Sequence, residues 1–206
     1  MIAYASRTGT KSTLEKMRAS GWRILIVAGA ALRPEGMRYA LDNGAWSCHL
    51  QGEAFHSTKF NQALEAVGSG ADWIVLPDIV GGGLKSLELS LGWLDRVASF
   101  GLPLLAVQDG MKLGDVAPLV GAGLGIFLGG STDWKLGTMR EWGTLAREKN
   151  AYFHVARVNS AKRIVLCCDA GADSFDGTSV TRFGCTHRLL DLALRQGYLF
   201  PKGLEQ

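Results

Sequence analysis

Six short apolar runs each stop abruptly in a polar, glycine-containing cluster, and that rhythm restricts the chain to very few folds. The runs are ALDNGAW (Ala40–Trp46), WIVLPDIVGGG (Trp73–Gly83), LLAVQDG (Leu104–Gly110), GIFLGGS (Gly125–Ser131), YFHVARVNS (Tyr152–Ser160) and DSFDGTS (Asp173–Ser179). Runs of strand length, each followed by a helix-length amphipathic stretch, describe parallel strands feeding helices. Two earlier runs, Ile2–Ser6 and Ile24–Ala30, bring the count to that of a (β/α)8 barrel. The expected class is therefore α/β: a compact (β/α)8 TIM barrel, one domain over residues 1–206. At this length the loops must be short. A doubly wound open sheet is the structural competitor. No G-x-G-x-x-G follows the first strand, which weakens a dinucleotide reading.

Met1–Gly9 reads as a short strand with a polar end rather than a cleavable leader. The following TKSTLEKMRASG has a Ser/Thr start and a closing Gly21, both helix signals. Helical spacing recurs over Thr58–Gly68, Leu84–Phe100, Asp115–Gly121, Lys135–Lys149, Ala161–Ala170 and, as a closing helix, His187–Gly197. No apolar run approaches membrane-spanning length. Cys48, Cys167, Cys168 and Cys185 give neither a disulfide framework nor a paired C-x-x-C zinc site. Cys185 and His187 are two ligands, too few for zinc. The expectation is a reduced, cytoplasmic protein with no membrane partner, no metal and no cofactor. A net charge of +3 is too small to prove a nucleic-acid partner.

In a closed parallel barrel the strand ends share one mouth, so acids far apart in sequence would meet there. Asp176 and Asp42 each stand beside a turn-forming pair, and from spacing alone a cap or Asx turn accounts for both. Trp46, four residues after Asp42, would lay an aromatic face beside the carboxylate. Asp78 sits in apolar sequence and needs a partner, either a protein donor or a ligand with two N–H groups. Gln108 supplies one donor and one acceptor function. Gly129 and Gly130 expose backbone N–H groups that suit a carbonyl oxygen or a phosphate. His154 reads as a buried, satisfied histidine. Lys135, Arg140, Arg157, Lys162, Arg163, Arg182 and Arg188 cluster in the later half of the chain, and solvated helix faces explain several of them.

Taken together, these clusters resemble the tRNA-guanine transglycosylase superfamily, in particular its small DNA-acting phage branch, the DpdA-like proteins. GADSFDGTSVTRF (Gly171–Phe183) resembles that family's stretch around its catalytic aspartate. LDNGAW resembles its second aspartate motif, and LPD, AVQDG and LGGS resemble its base-binding strand ends. The resemblance implies Asp176 as nucleophile and Asp42 as the second catalytic acid. It implies base binding by Trp46, Asp78, Gln108, Gly129 and Gly130, and nucleic-acid contacts by Lys135, Arg157 and Arg182. The implied reaction is a pentosyl transfer through a covalent aspartyl-glycosyl intermediate. It would exchange guanine in DNA, with RNA left open, for a 7-deazaguanine such as 7-cyano-7-deazaguanine.

The chain departs from that family in lacking the C-x-C-x-x-C and His zinc subdomain, and Ser47 replaces a Gln. Two other readings stand beside it. One keeps the barrel and makes LGGS the phosphate site of a sugar-phosphate isomerase or lyase. The other is a non-catalytic nucleobase- or nucleic-acid-binding module. The sequence leaves the oligomeric state open.

Overall fold

The computed structural model describes residues 1–7, 10–183 and 185–199. Thr8 and Gly9, the polar end expected for the first strand, lie outside the described residues. Eight parallel strands close into a barrel in sequence order, β1 to β8, and β8 pairs back onto β1. They are β1 Ile2–Ser6, β2 Arg23–Val27, β3 Tyr39–Asp42, β4 Ile74–Val75, β5 Pro103–Val107, β6 Gly125–Leu128, β7 Phe153–Val155 and β8 Ser174–Gly177. The helices are α1 Lys11–Ala19, α2 Ala45–Gln51, α3 Ser57–Val67, α4 Leu84–Gly92 and α5 Leu94–Ala98. After them come α6 Leu113–Val116, α7 Thr132–Glu148, α8 Ala161–Asp169, α9 Ser179–Arg182 and α10 His187–Leu199. The (β/α)8 expectation holds, with no helix between β2 and β3. No described helix is long and apolar enough to cross a membrane. Among the described residues no group of three or more His, Cys, Asp or Glu is placed to hold a metal.

The two sides of each strand have separate fates. Tyr4, Leu25, Ala40, Trp73, Val75, Leu104, Ala106, Phe127 and Ala156 point inward and fill the lumen. Their neighbours, such as Ile24, Ile26, Leu41, Leu105, Val107 and Phe175, point outward against the helices. Both faces are buried, so the strands show continuous apolar runs rather than alternation. Alternation along the strand still decides the mouth. Two residues beyond the lumen layer come Ser6, Val27, Asp42, Gln108 and Gly129, and two beyond Ser174 comes Asp176; all face one cavity.

Local chemistry sets where elements end. The helix expected over Leu84–Phe100 is two helices, broken at Trp93 (φ −103°). Gly92 is a poor helix former, and Trp93 turns its ring onto Phe55 and Phe60. Strand β4 keeps only two residues. Pro77 has no N–H to extend the ladder, and the Asn43 amide takes the Leu76 carbonyl at 2.6 Å.

At the opposite end of the barrel Asp72 gathers three donors. Tyr4 donates its hydroxyl at 2.9 Å, Arg23 donates at 2.8 Å and Arg38 at 2.6 Å. The Asp72 side chain is only 9% exposed, so its loss strands a partly buried Arg23 and a buried phenol. Asp72→Ala is expected to cost about 3 kcal/mol, read as a lower urea midpoint. A change within about 0.5 kcal/mol, the range of ordinary surface substitutions, would contradict this placement.

Candidate active site

The mouth opens into a cavity of about 680 Å³ lined by residues from all eight strand ends. Asp42, Asp78 and Asp176 all face it, joined by Asp109. The spatial premise drawn from the sequence is therefore met: acids separated by more than a hundred residues share one pocket. Apolar walls come from Leu25, Val27, Val75, Ala106 and Phe127.

Asp176 is 5% exposed at the end of β8. Its Oδ1 lies 3.0 Å from His154 Nε2 and accepts the Arg157 backbone N–H at 3.2 Å. His154 is fully buried, as its sequence context implies, and its Nδ1 meets Ser174 Oγ at 2.7 Å. Phe127 stacks on the imidazole with centroids 4.9 Å apart. With the proton on Nε2, the ring donates to the carboxylate and receives the serine hydroxyl. A Ser174–His154–Asp176 chain thus fixes the carboxylate rotamer. Burial holds the His154 pKa below the usual imidazole value, opposed by Asp176.

Asp42 accepts the Gly44 N–H at 2.7 Å, the Asx turn its sequence context implies. Its carboxyl opens on the cavity rather than on the outer surface, so it is poorly hydrated. Burial pushes its pKa up to about 7, opposed by the Gly44 bond and reinforced by the charges of Asp176 and Asp78. Asp78 accepts the Asn43 amide at 2.7 Å. Burial raises its pKa to about 6 against the pull of Asn43 and Arg157. Two carboxyls at one mouth therefore exchange protons near neutrality, where an ordinary aspartate is fully ionised.

Arg157 crosses the mouth. Its backbone adopts φ +57°, a left-handed conformation that a non-glycine residue adopts at a cost. The guanidinium donates to the Gly130 carbonyl and lies 4.3 Å from the centroid of the Trp46 ring. A cation over an indole face is a favourable pairing. Trp46 is 41% exposed and also stacks on His49.

Other expected contacts are spent inside the protein. Gln108 uses its NH2 on the Ile79 carbonyl and Ser86 Oγ, each at 2.8 Å, and its oxygen accepts Gly81 N–H at 2.6 Å. It braces the loop after β4 rather than reading a ligand edge. The Gly129 N–H donates to the Val107 carbonyl at 2.9 Å, extending the β5–β6 ladder. Gly130 (φ +73°) packs so closely on Trp134 and Asp109 that a Cβ would lie 2.7 Å from each. Lys135, expected as a nucleic-acid contact, is 2% exposed, and its ammonium is tied to the Ala156 carbonyl. Burial lowers its pKa to about 8. Arg182 is exposed on α9.

Asn43, Asp109, Asn159 and Ser174 organise the site without having stood out in the sequence, and His154 stood out only as a buried, satisfied histidine. Asn43 and Asp109 do sit beside singled-out residues, in LDNG and VQDG, where turn chemistry concealed them.

No family model matches the chain, and no curated protein matches it. One solved structure that resembles it is 3-hexulose-6-phosphate synthase from Salmonella typhimurium. The likeness has a TM-score of 0.53 and 12% sequence identity, and it covers 96% of this chain and 100% of that one. At that identity the likeness is one of fold.

These findings overturn the transglycosylase resemblance. The motifs that carried it find no family match, and the barrel aligns with that of a sugar-phosphate enzyme instead. The internal bonds of Gln108 and Gly129 and the burial of Lys135 give the physical reason: side chains assigned to a base or a nucleic acid are already engaged. The pentosyltransferase activity, the aspartyl-glycosyl intermediate, the DNA or RNA substrate and the 7-deazaguanine partner all fall with that resemblance.

Proposed function

We propose that the chain is an acid–base enzyme of the isomerase or lyase type, acting on a small carbonyl compound rich in hydroxyl groups. The observation that carries this reading is the convergence of Asp42, Asp78 and Asp176 on one cavity of about 680 Å³ at the carboxyl ends of the barrel strands. Active sites of this fold occupy that face, and the cavity has the size of a small-molecule site.

In the proposed step Asp176 accepts a proton from the carbon next to the substrate carbonyl. Both of its internal bonds fall on Oδ1, which leaves Oδ2 for the substrate. Asp42, protonated over part of the neutral range, gives its proton to the carbonyl oxygen. The product of this transfer is an enediol. Asp176 then returns the proton to the former carbonyl carbon while the neighbouring hydroxyl gives its proton to Asp42, which isomerises the substrate. When an aldol bond is cleaved instead, the hydroxyl on the departing carbon loses its proton to Asp176 and becomes a carbonyl, and the electron pair of the broken bond forms the enediol as Asp42 protonates the original carbonyl oxygen. Asp78 accepts a substrate hydroxyl. Asn43 holds Asp78 in place, and the charge of Arg157 offsets its own. The free thiols of all four cysteines favour a reducing compartment, and we place the reaction in the cytoplasm.

The test is proton exchange. The protein is incubated in deuterated buffer with a panel of aldoses, ketoses and related polyols, and products are read by NMR. One deuteron is expected at the carbon beside the carbonyl, lost by a factor of about 10²–10⁴ in Asp176→Asn. Absence of exchange, isomerisation and cleavage across the panel would refute the reading.

A further inference from the structure

We infer that the substrate of this site is unphosphorylated: a free sugar or related neutral polyol rather than a phosphate ester. The inference rests on the acid–base reading above and narrows its substrate class.

Barrels of this kind frequently hold a phosphate on backbone N–H groups after the seventh and eighth strands, at the start of a short extra helix. Here that helix is α9, and its leading amides are already taken. Asn159 Oδ1 accepts Thr178 N–H at 2.8 Å, Ser179 N–H at 3.0 Å and Ser179 Oγ at 2.9 Å. The alternative seat, after β6, is taken as well. Asp109 receives Ser131 N–H and Ser131 Oγ, each at 2.6 Å, at the head of α7. The Gly129 N–H belongs to the sheet. A phosphate arriving after β6 would meet a carboxylate where it needs donors.

The charge of the cavity points the same way. Asp42, Asp78, Asp109 and Asp176 line it, and among the described lining residues Arg157 is the only Lys or Arg. That guanidinium is bonded to the Gly130 carbonyl and pulls down the pKa values of Asp78 and Asp109. A dianion would enter a net negative, poorly hydrated pocket, where like charges repel more strongly than in water. A neutral polyol brings hydroxyl donors to the carboxyls and no charge of its own.

The experiment uses the intact chain and matched pairs, each free sugar against its own phosphate ester, in the deuterium-exchange assay at constant ionic strength. Inorganic phosphate is titrated separately in a thermal melt. The free sugar is expected to exchange with kcat/KM at least about tenfold higher than its ester, a difference of about 1.4 kcal/mol. Millimolar phosphate is expected to leave the melting temperature where equal chloride does. Preferred exchange of the ester, or a phosphate-dependent rise in melting temperature, overturns the inference and leaves the acid–base reading standing. Exchange with neither member of any pair removes the acid–base reading, and the inference with it.

Discussion

Asp42→Asn is expected to make the protein more stable at pH 8 and nearly inactive. The folded Asp42 carboxyl titrates near 7, against 3.8 for the free side chain, chiefly because the site denies its anion water. A raised folded pKa means that the native state binds this proton more tightly than the unfolded chain does. Its stabilising contribution is complete below about pH 4 and is lost as pH rises through 7. Asparagine keeps the shape, can still accept the Gly44 N–H and never ionises. The two proteins should therefore show nearly equal stability at pH 4. They should diverge between pH 4 and 7, until the variant is ahead by about 2–4 kcal/mol at pH 8. The same change removes the proposed proton donor and should lower the exchange rate by about 10²–10⁴. Urea unfolding at pH 4 and pH 8 reads the first effect, and deuterium exchange reads the second. Parallel stability curves for the two proteins would refute the burial argument.

Gly143→Ala is expected to destabilise the barrel by about 3 kcal/mol, although helix propensity alone favours the change. Gly143 lies within α7. Alanine in a helix interior gains nearly 1 kcal/mol over glycine. The added Cβ, however, would collide with the carbonyl oxygen of Ala170 and lie 3.1 Å from both the Ala170 carbonyl carbon and Phe153 Cε1. Two of those atoms are backbone at the end of α8, so relief requires α7 to move away from the end of α8, and overpacking of that kind costs 1–3 kcal/mol or more. Gly137, in the same helix, is the control: a Cβ there meets nothing within 4 Å. Gly137→Ala should stabilise by about 0.5–1 kcal/mol. Equal responses at the two positions would show that α7 is not packed this closely on the end of α8.

The barrel was legible because its evidence is repetitive. Each strand-and-helix unit presents the same apolar run and the same polar stop, so the boundary shifts at Val27 and Trp93 left the count unchanged. The convergence of Asp42, Asp78 and Asp176 followed from topology and from the two-residue period of strands. What each group does at the mouth was not legible, because it depends on neighbours from other strands. Gln108 has the donor and acceptor pattern of a ligand-reading amide, yet Ile79, Ser86 and Gly81 consume it. Lys135 has the charge of a surface contact, yet α7 carries it under the loop after β7, where the Ala156 carbonyl takes its ammonium. The glycine pair in LGGS fits a phosphate loop, but Asp109, twenty residues earlier, occupies the adjoining seat. Short motifs in the right order carried a family resemblance that the comparisons did not support. Order along the chain is imposed on any protein of this fold, and it says little about the ligand.

The most direct measurement is a pH titration of aspartate side-chain carboxyl carbons by NMR, assigned through Asp42→Asn and Asp78→Asn. Two resonances are expected to titrate far above an ordinary aspartate, Asp42 near 7 and Asp78 near 6. In Asp176→Asn the Asp42 midpoint should fall, because the Asp176 charge helps to raise it. Midpoints near 4 for both carboxyls, unmoved by Asp176→Asn, would mean that these acids do not share a poorly hydrated cavity and would contradict the account.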